Sequence, residues 1–547
     1  MAKSMSINPA AGLTGMLKDG HKSFEGTQGA VVRNIEACRA IAGMVQTSLG
    51  PNGMNKLVLN HLEKVIVSSD CATILKELEV QHPAAKLLVL ASEMQEQEFG
   101  DNTNFVISFA GELLKHAEEL IRNGLHTAEI VEGYQRAYDK VVSILPGLVV
   151  HSVENVRDST QLIKAVKSVL ATKHYGYENF LTSLVVDACL TTFPVGVKKP
   201  RLNIDNVRVS KLRGGSITMS TVVKGMLLLR DTEGIIKKVE NAKVVVFGCG
   251  IEASATEAKG TVLLKNAEEL MNYNKSEEKK MEEIIESIAN TGVKVVICNG
   301  SVSEMAMHFL DKFNLMVLKV TSKWDLRRIC GALGATAIVR LGPCTPEEMG
   351  ECSMVEVREV GGRKVTVFSQ QQDEDTTVAT IIVRASTENL SNDIERAIDD
   401  GVNAVKALCV DPRLLPGAGA VELELCKQIK TFADEVPGLD QYAIRKFAEA
   451  FEVVPRTLVE NSGTDPSTIM QTLHAAHASG SSNTGYDIDS NVPMDALEAG
   501  VLDVFSTKLN ALRLAVDAAL TVLRVDQLVM SKPAGGPKPP QQPRMDD

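Results

Sequence analysis

The sequence predicts a multidomain fold in which two helical parts flank an α/β part. Apolar residues recur every three or four positions at 29–48 and 103–122, which is the period of an amphipathic helix. Strand-like and helical stretches then alternate over roughly 217–369, which is typical of an α/β layer. Helical patterns return after about 390 and continue to about 530. This order allows three domains in a row or a middle domain inserted into one helical domain, and the pattern favours insertion only slightly.

Local signals define several of these elements. The run 103–122 is followed by Asn123-Gly124, a helix stop signal. Ser301 with Glu304 predicts a capping box at the start of a helix in the middle part. The strands predicted in the middle part are Lys243–Phe247, Lys294–Cys298, Met316–Val320 and Thr336–Arg340.

The composition indicates a large folded protein whose main partner is not a nucleic acid. The chain has 547 residues, of which 44% are hydrophobic and 23% charged, so it can bury a sizeable core. Its net charge of −11 and aromatic content of 4% do not suit a phosphate backbone or stacked bases. No apolar run approaches the ~18 residues of a membrane helix, and the first residues lack a secretory signal pattern. The ten cysteines form no CxxC pair, so we expect free thiols in a cytoplasmic protein.

Two aspartates lie at positions suited to phosphate chemistry. Asp70 follows a short strand-like run and precedes a helix, and Asp101 lies just before the helix predicted at 103–122. The free N–H groups of a helix start can bind an anion, and a carboxylate beside them needs Mg²⁺ to bridge it to phosphate. Asp70 is then a candidate water-orienting base. Asp is also a common N-cap residue, and the local pattern alone favours that structural role.

A third aspartate, Asp400, lies in a predicted helix. It falls beside Ala397 and Ala404, on a flank of small residues where a ligand could approach. By spacing alone, an i,i+4 ion pair with Arg396 is the more ordinary hypothesis. The buried stripe of this helix is predicted to be Ile394, Ile398, Val402 and Val405.

Glycine clusters at 50–53 and 416–419 are candidates for close approach of a ligand to the main chain, although ordinary turns use glycine just as readily. Neither is a Walker A loop, because GxxxxGK[ST] does not occur. Gly248-Cys249-Gly250 follows a strand and imitates a dinucleotide fingerprint, but SATEAKGTVL intervenes before any helix. An NAD-binding enzyme built around this turn is an alternative hypothesis.

The charged stretch 266–290 predicts a helix whose amphipathicity is thin between 272 and 283. This pattern is typical of a helix that stands away from the body of the protein, and equally of an ordinary solvated helix. The tail at 533–547 is rich in proline and lacks apolar residues to pack, so it is predicted to be disordered.

A series of short segments, taken in order along nearly the whole chain, resembles the group II chaperonins. TSLGPNGMNK at 47–56 resembles the family motif LGPxGxxK, SSDCATIL at 68–75 resembles NDGATIL, and GDNTN at 100–104 resembles GDGTT. HPAAK, IDDGVNAV, PGAGAVE, VENSG, GYDID and GVLD complete the family pattern. Within the family, NHLEK, EVQHPAAK, MQEQE, SKWDLRR and the proline-rich tail are similar to one subunit type of the eukaryotic cytosolic chaperonin.

This resemblance implies a domain arrangement with insertion. An all-α equatorial ATP-binding domain would comprise 1–147 and 406–532, and a small α/β intermediate hinge domain would comprise 148–216 and 370–405. An α/β apical substrate-binding domain would be inserted at 217–369, with a helical protrusion near 257–290 that closes the chamber as a built-in lid. The implied function is ATP-dependent folding of enclosed proteins. The implied partners are other subunits of a hetero-oligomeric double ring and non-native clients such as cytoskeletal proteins, with no nucleic acid or membrane.

The resemblance also implies the roles of individual residues, with ATP and Mg²⁺ as cofactors. Asp101 would hold Mg²⁺, while Asp70 and Asp400 would orient and activate the attacking water. Asp503 would bind the ribose hydroxyls. The other implied nucleotide-binding residues are Ser48, Leu49, Gly50, Pro51, Gly100, Asn102, Thr103, Asn104, Gly417 and Ala418.

Three positions depart from the family pattern. Asn102 stands where the family has Gly, Cys71 replaces a Gly or Ala, and Ala418 interrupts a Gly triplet. The acids are retained, so ATP binding and some hydrolysis are expected, with turnover that could be slower than in a subunit with the full motif. The alternative is a structural ring subunit that binds ATP and hydrolyses it weakly.

Overall fold

The computed structural model describes residues 22–25, 30–60, 62–194, 201–252, 265–370 and 378–530. The predicted tail at 533–547, and the part of the predicted protrusion at 257–264, lie outside these residues. All ten cysteines lie inside them and are free thiols, as predicted. Across these ranges, no helix combines the length and apolarity needed to cross a bilayer.

The first part of the chain is mainly helical. The helix predicted at 103–122 is confirmed, with Asn123 as its C-cap. It is buried on most of its surface, because other helices of this part surround it. The elements in chain order are β1 (Lys22–Glu25), α1 (Val32–Gln46), β2 (Lys56–Leu59), β3 (Val65–Ser68), α2 (Cys71–Glu77), α3 (Pro83–Phe99), α4 (Thr103–Arg122), α5 (Thr127–Ile144) and β4 (His151–Ser152).

The middle of the chain alternates strands and helices. The elements are α6 (Ser159–Ala171), α7 (Glu178–Thr192), β5 (Val207–Arg213), β6 (Thr221–Leu228), β7 (Lys238–Phe247), α8 (Ala267–Asn290), β8 (Val295–Cys298), α9 (Glu304–Lys312), β9 (Met316–Lys319), α10 (Lys323–Leu333), β10 (Ala337–Ile338), β11 (Gly350–Val360), β12 (Arg363–Ser369), β13 (Ala379–Ala385) and α11 (Glu388–Val410).

These strands form one mixed sheet in the order β5-β13-β6-β12-β11-β7-β8-β9, with β10 beside β7. Ile285 of α8 and Leu310 of α9 pack on one face of the parallel strands β7, β8 and β9. Ile329 of α10 packs on the other face. A separate core joins α6, α7 and α11 to β5 and β13, with Val185 and Ile398 buried inside it.

The last part of the chain returns to helices. Its elements are β14 (Arg413–Pro416), α12 (Ala420–Glu435), α13 (Asp440–Ala450), α14 (Val453–Asn461), α15 (Pro466–Ala478), β15 (Thr484–Tyr486), β16 (Pro493–Asp495), β17 (Leu502–Val504), α16 (Phe505–Leu523) and β18 (Gln527–Met530). The ring of Phe109 in α4 lies 5.8 Å from that of Phe447 in α13 and 4.7 Å from that of Phe451, centroid to centroid. The first and last parts therefore share one core, as an inserted middle requires. The domain boundaries themselves stay predictions.

The structure differs from the predictions in three places. The helical core is not purely α, because small sheets pair β1 with β18, β2 with β3, β15 with β16, and β14 with β4 and β17. Helix α9 is capped by Ser303, whose hydroxyl accepts from the N–H of Ala306. Ser301 is not the cap because its hydroxyl donates to Glu252. The strand predicted at Thr336–Arg340 is only the short β10.

Candidate functional site

The start of α4 is open to an anion. The chain reaches it through Gly100 at φ 76° and Asn102 at φ 66°, two residues of positive φ on either side of Asp101. Asn102 is the N-cap, but no side chain caps the helix, so its first N–H groups keep no side-chain acceptor. Helix α12 begins in the same way after Gly419, at φ 82°. Both helix starts border one cavity, which thus offers two sets of backbone donors.

This cavity has a volume of about 490 Å³, a size that accommodates a small-molecule ligand. It gathers segments that lie far apart in the sequence. The predicted site residues that line it are Ser48, Leu49, Gly50, Pro51, Asp101, Asn102, Thr103, Asn104, Ala418 and Asp503. Asp70, Gly100 and Asp400 line an adjoining cavity of about 330 Å³ instead. Gly417 borders neither: its N–H donates to Val501 at 2.9 Å and fixes the turn before α12.

Asp70 and Asp400 meet at a lysine that the sequence did not single out. The Nζ atom of Lys173 lies 2.7 Å from Oδ1 of Asp70 and 3.2 Å from Oδ2 of Asp400. The contact between Lys173 Nζ and Asp400 Oδ2 does not have hydrogen-bond geometry. Oδ2 of Asp400 therefore has no hydrogen-bond partner among the described residues. Asp70 also caps α2, because its Oδ2 accepts from the N–H and hydroxyl of Thr73. The structural and the chemical hypothesis for Asp70 are therefore compatible.

The environment separates the pKa values of these two carboxyls. Burial raises the pKa of Asp70, but Lys173 and Thr73 outweigh it and lower that pKa to about 2. Burial raises the pKa of Asp400 well above its usual range; Lys173 offsets part of this, while Asp70 and Asp101 add to it. Two carboxyls with opposite shifts can take different roles, one as a fixed charge and one as a proton acceptor.

Asp101 has the properties expected of a carboxylate that shares a cation with a ligand. Burial raises its pKa, and the backbone N–H of Asn102 and the charge of Lys173 offset only part of that rise. No Lys, Arg or His of the described ranges forms an ion pair with it. No cluster of three acid, His or Cys side chains within those ranges could hold a metal by itself. A Mg²⁺ here would fit as an ion that takes its remaining ligands from phosphate and water.

A second buried lysine that lines the cavity pairs with two acids. Nζ of Lys508 lies 2.5 Å from Oε1 of Glu422 and 3.3 Å from Oδ2 of Asp503. The turn at 48–51 is held by Asn461, whose amide donates to the carbonyl oxygen of Leu49 at 2.9 Å. Lys508 and Lys173 were missed as site residues, because isolated Lys residues have no local signature. Glu422 was also missed, although it ends the family segment PGAGAVE.

The family departures occupy demanding backbone positions. Asn102 and Ala418 both have positive φ, at 66° and 55°. Asn tolerates this region, whereas Ala is strained there. The methyl group of Ala418 is accommodated because residue 485 is glycine: a Cβ built on Gly485 would lie 2.8 Å from it. Cys71 is buried and burial raises its pKa, so it is an inert thiol.

We expect Gly485→Ala to destabilise the chain by about 1–3 kcal/mol, because the added methyl group would also lie 2.9 Å from the Ala418 carbonyl oxygen. Thermal unfolding of the purified chain measures this. Gly43→Ala is the matched control: it lies in α1 with nothing within 4 Å of its Cβ, so about 0.5–1 kcal/mol of stabilisation is expected. Equal effects of the two substitutions would contradict the close packing of 485 on 418.

Two alternative hypotheses from the sequence do not hold. Asp400 does not pair with Arg396, because the guanidinium group of Arg396 turns to Asp393. The buried stripe predicted for α11 is confirmed at all four positions.

The glycine turn after β7 leads into an isolated bridge between Ile251 and Val302 rather than a helix. Gly250 is instead needed for packing, since a Cβ there would lie 2.8 Å from the carbonyl oxygen of Ser301.

Comparison with known proteins gives a consistent result over nearly the whole chain. Residues 41–533 match the model of the TCP-1/cpn60 chaperonin family. T-complex protein 1 subunit theta of Homo sapiens is 51% identical over 539 residues, covering 98% of both chains. The proteins of that name from Dictyostelium discoideum and Arabidopsis thaliana are 50% and 48% identical, again over 97–98% of each chain. This chain therefore belongs to the TCP-1/cpn60 chaperonin family, as its ordered motifs predict.

Proposed function

We propose that this chain is the theta-type subunit of the eukaryotic cytosolic ring chaperonin, TRiC/CCT, and that it hydrolyses ATP to drive the folding of enclosed proteins. The observation that carries the ATPase proposal is the pair Asp70 and Asp400 on Lys173, next to a cavity with two uncapped helix starts. Relatives at about half identity over nearly the full chain support the subunit type. The partners would be the other subunits of a hetero-oligomeric double ring and non-native client proteins.

In the proposed reaction, the free N–H groups at the start of α4 hold the phosphates of ATP. Asp101 would hold Mg²⁺, and this ion would supply positive charge that neutralises the phosphates. Asp70, ionised at neutral pH, orients the attacking water. The oxygen of the water bonds to the γ-phosphorus, and the bond between this phosphorus and ADP breaks. Asp400 takes the proton that the water loses.

The position of Asp400 suggests how hydrolysis could couple to movement. Asp400 lies on α11, in the predicted intermediate domain, while Asp70 lies before α2, in the predicted equatorial domain. Lys173, two residues after the end of α6, forms ion pairs with both aspartates. A γ-phosphate arriving near Lys173 would compete for its charge, and this would change how the two domains meet. The lid would close with that movement.

Two exposed apolar surfaces suit the proposed partners. The hairpin of β2 and β3 exposes Leu57 and Leu59, and it is a candidate contact with a neighbouring subunit. The predicted apical domain exposes Ile235, Trp324 and Val339, which are candidate contacts for non-native clients. Exposed apolar side chains of this kind bind the apolar surface that an unfolded client still presents.

The proposal is tested by the metal dependence of ATP binding. In an assembled ring carrying Asp101→Asn in this chain only, we expect Mg-ATP to bind this chain about 10–100-fold more weakly. Binding of ATP in EDTA should change little, because the carboxylate then has no cation to share. Crosslinking of 8-azido-ATP to this chain measures both. Asp495→Asn, on exposed β16, is the matched control and should change neither. Equal binding of Mg-ATP by both variants would refute the metal role of Asp101.

A weakly hydrolysing structural subunit is the second candidate function. Its support is the strained Ala418 at the turn before α12, where the family has Gly. It predicts nucleotide bound at this position with hydrolysis unaffected by changes at Asp400.

A further inference from the structure

Lys508 is a buried lysine that lines the cavity, and the mechanism above does not use it. Only 5% of its side chain is exposed, and it lies between Glu422, 2% exposed, and Asp503, 29% exposed. We propose that Lys508 and Glu422 are positioning residues that hold the Asp503 carboxylate towards the sugar of the nucleotide, and so set the preference for a ribose. This rests on the proposed ATP binding.

The charges of the three groups favour a hydroxyl ligand beside Asp503. Burial alone lowers the pKa of Lys508, but Glu422 and then Asp503 raise it above its usual range, so the lysine is charged. One ammonium group then lies between two acidic side chains, and Asp503 is the more exposed of them. An anionic acceptor attracts hydroxyl donors and repels phosphate.

The elements that carry these groups make the arrangement rigid. Glu422 lies on α12 and Lys508 on α16, and the Lys508 ammonium also lies 4.5 Å from the ring centroid of Phe105 on α4. Asp503 lies on β17, opposite Leu415 of β14. With Oδ2 held by Lys508, Oδ1 of Asp503 has no partner within the described part of the chain. A pre-positioned acceptor discriminates better than a mobile one, because less ordering is needed on binding.

The test compares nucleotides that differ only in the sugar. In an assembled ring carrying Glu422→Gln and Lys508→Met in this chain, 8-azido-ATP is crosslinked to this chain in competition with ATP or 2′,3′-dideoxy-ATP. The double substitution removes both buried charges together, because Lys508→Met alone would leave Glu422 buried without a counter-charge. Glu424→Gln is the matched control: it lies on the same helix, forms a buried pair with His477 at 3.0 Å, and does not border the cavity.

We expect the unchanged ring and the Glu424→Gln ring to prefer ATP over the dideoxy nucleotide by roughly tenfold or more, as for hydrogen bonds to a charged acceptor. In the double variant this preference should fall to about threefold or less, while dideoxy-ATP binds nearly as before. A purely structural role would weaken both nucleotides equally, and that result, or an unchanged preference, overturns the inference. If 8-azido-ATP does not label the unchanged chain at all, the proposed ATP binding fails and the inference falls with it.

Discussion

Replacing Asp400 with asparagine is expected to slow ATP hydrolysis at this subunit by roughly 10²- to 10⁴-fold while nucleotide stays bound, because the proposed proton acceptor is lost. Asparagine keeps the shape of the side chain. Burial penalises the charged form of Asp400, so replacing it with a neutral amide should cost little stability. Hydrolysis is measured as phosphate release from assembled rings whose other subunits have been made unable to hydrolyse ATP. The two rings that are compared differ only at residue 400 of this subunit.

Asp399→Asn is the control for this prediction. It makes the same chemical change at the preceding residue of α11, an exposed carboxyl whose neighbouring charges are Glu395, Arg208 and Lys211 rather than Lys173. It should leave hydrolysis unchanged. The pH profile adds a second readout: the acid limb of the unchanged subunit should lie above the usual range for Asp, because hydrolysis is lost as pH falls through the raised pKa of Asp400. Full hydrolysis in Asp400→Asn, with nucleotide bound, would favour the structural-subunit hypothesis.

Lys173→Met is expected to destabilise the chain by about 3–5 kcal/mol at neutral pH, because it leaves two buried carboxyls without their counter-charge. The pH dependence has a definite sign. In the unchanged chain the lowered pKa of Asp70 contributes stability that is present above its ordinary pKa and is lost as pH falls towards about 2. In the variant, the pKa values of both carboxyls should be raised, so both protonate more readily as pH falls from 8 to 5.5. The loss in free energy of unfolding relative to the unchanged chain, the deficit, should therefore shrink over this range. Thermal unfolding across this range measures the deficit.

Two further variants sharpen this test. Lys173→Met combined with Asp400→Asn should recover part of the lost stability, because one of the two like charges is gone. Lys430→Met removes a lysine that pairs at 2.9 Å with Glu452 but is 40% exposed, so it should cost no more than about 1 kcal/mol. A deficit in Lys173→Met that is as small as in Lys430→Met, or that grows at low pH, would show that Lys173 does not hold the two acids.

The sequence predicted those features that depend on neighbouring residues. The bounds of α4 follow from its apolar period and its stop signal, and the stripe of α11 from spacing alone. The capping of α9 was placed two residues early, because the alternative partner of Ser301 is Glu252, 49 residues away. The small sheet of β1 and β18 pairs opposite ends of the chain, and no local pattern can signal that.

The same distinction applies to the candidate site. Asp70, Asp101 and Asp400 lie in segments whose local pattern or family resemblance draws attention to them. Lys173 contacts Asp70 over 103 residues of sequence, and it lies in no such segment. Lys508 and Glu422 act through each other and through Asp503, so their importance depends on three elements meeting. Buried charge pairs between distant segments are therefore the part of this site that required the structure.

The shared core of the two chain ends has a consequence for synthesis on the ribosome. Residues 48–104 are made well before Asp503 and Lys508, and Glu422 has no counter-charge until Lys508 has been translated. The same delay leaves Phe109 exposed until Phe447 and Phe451 emerge. A nascent chain that ends before these residues can thus neither complete the nucleotide cavity nor complete the core around Phe109, and it remains a target for other chaperones. Nucleotide capture by this chain then requires that Asp503 and Lys508 have been translated.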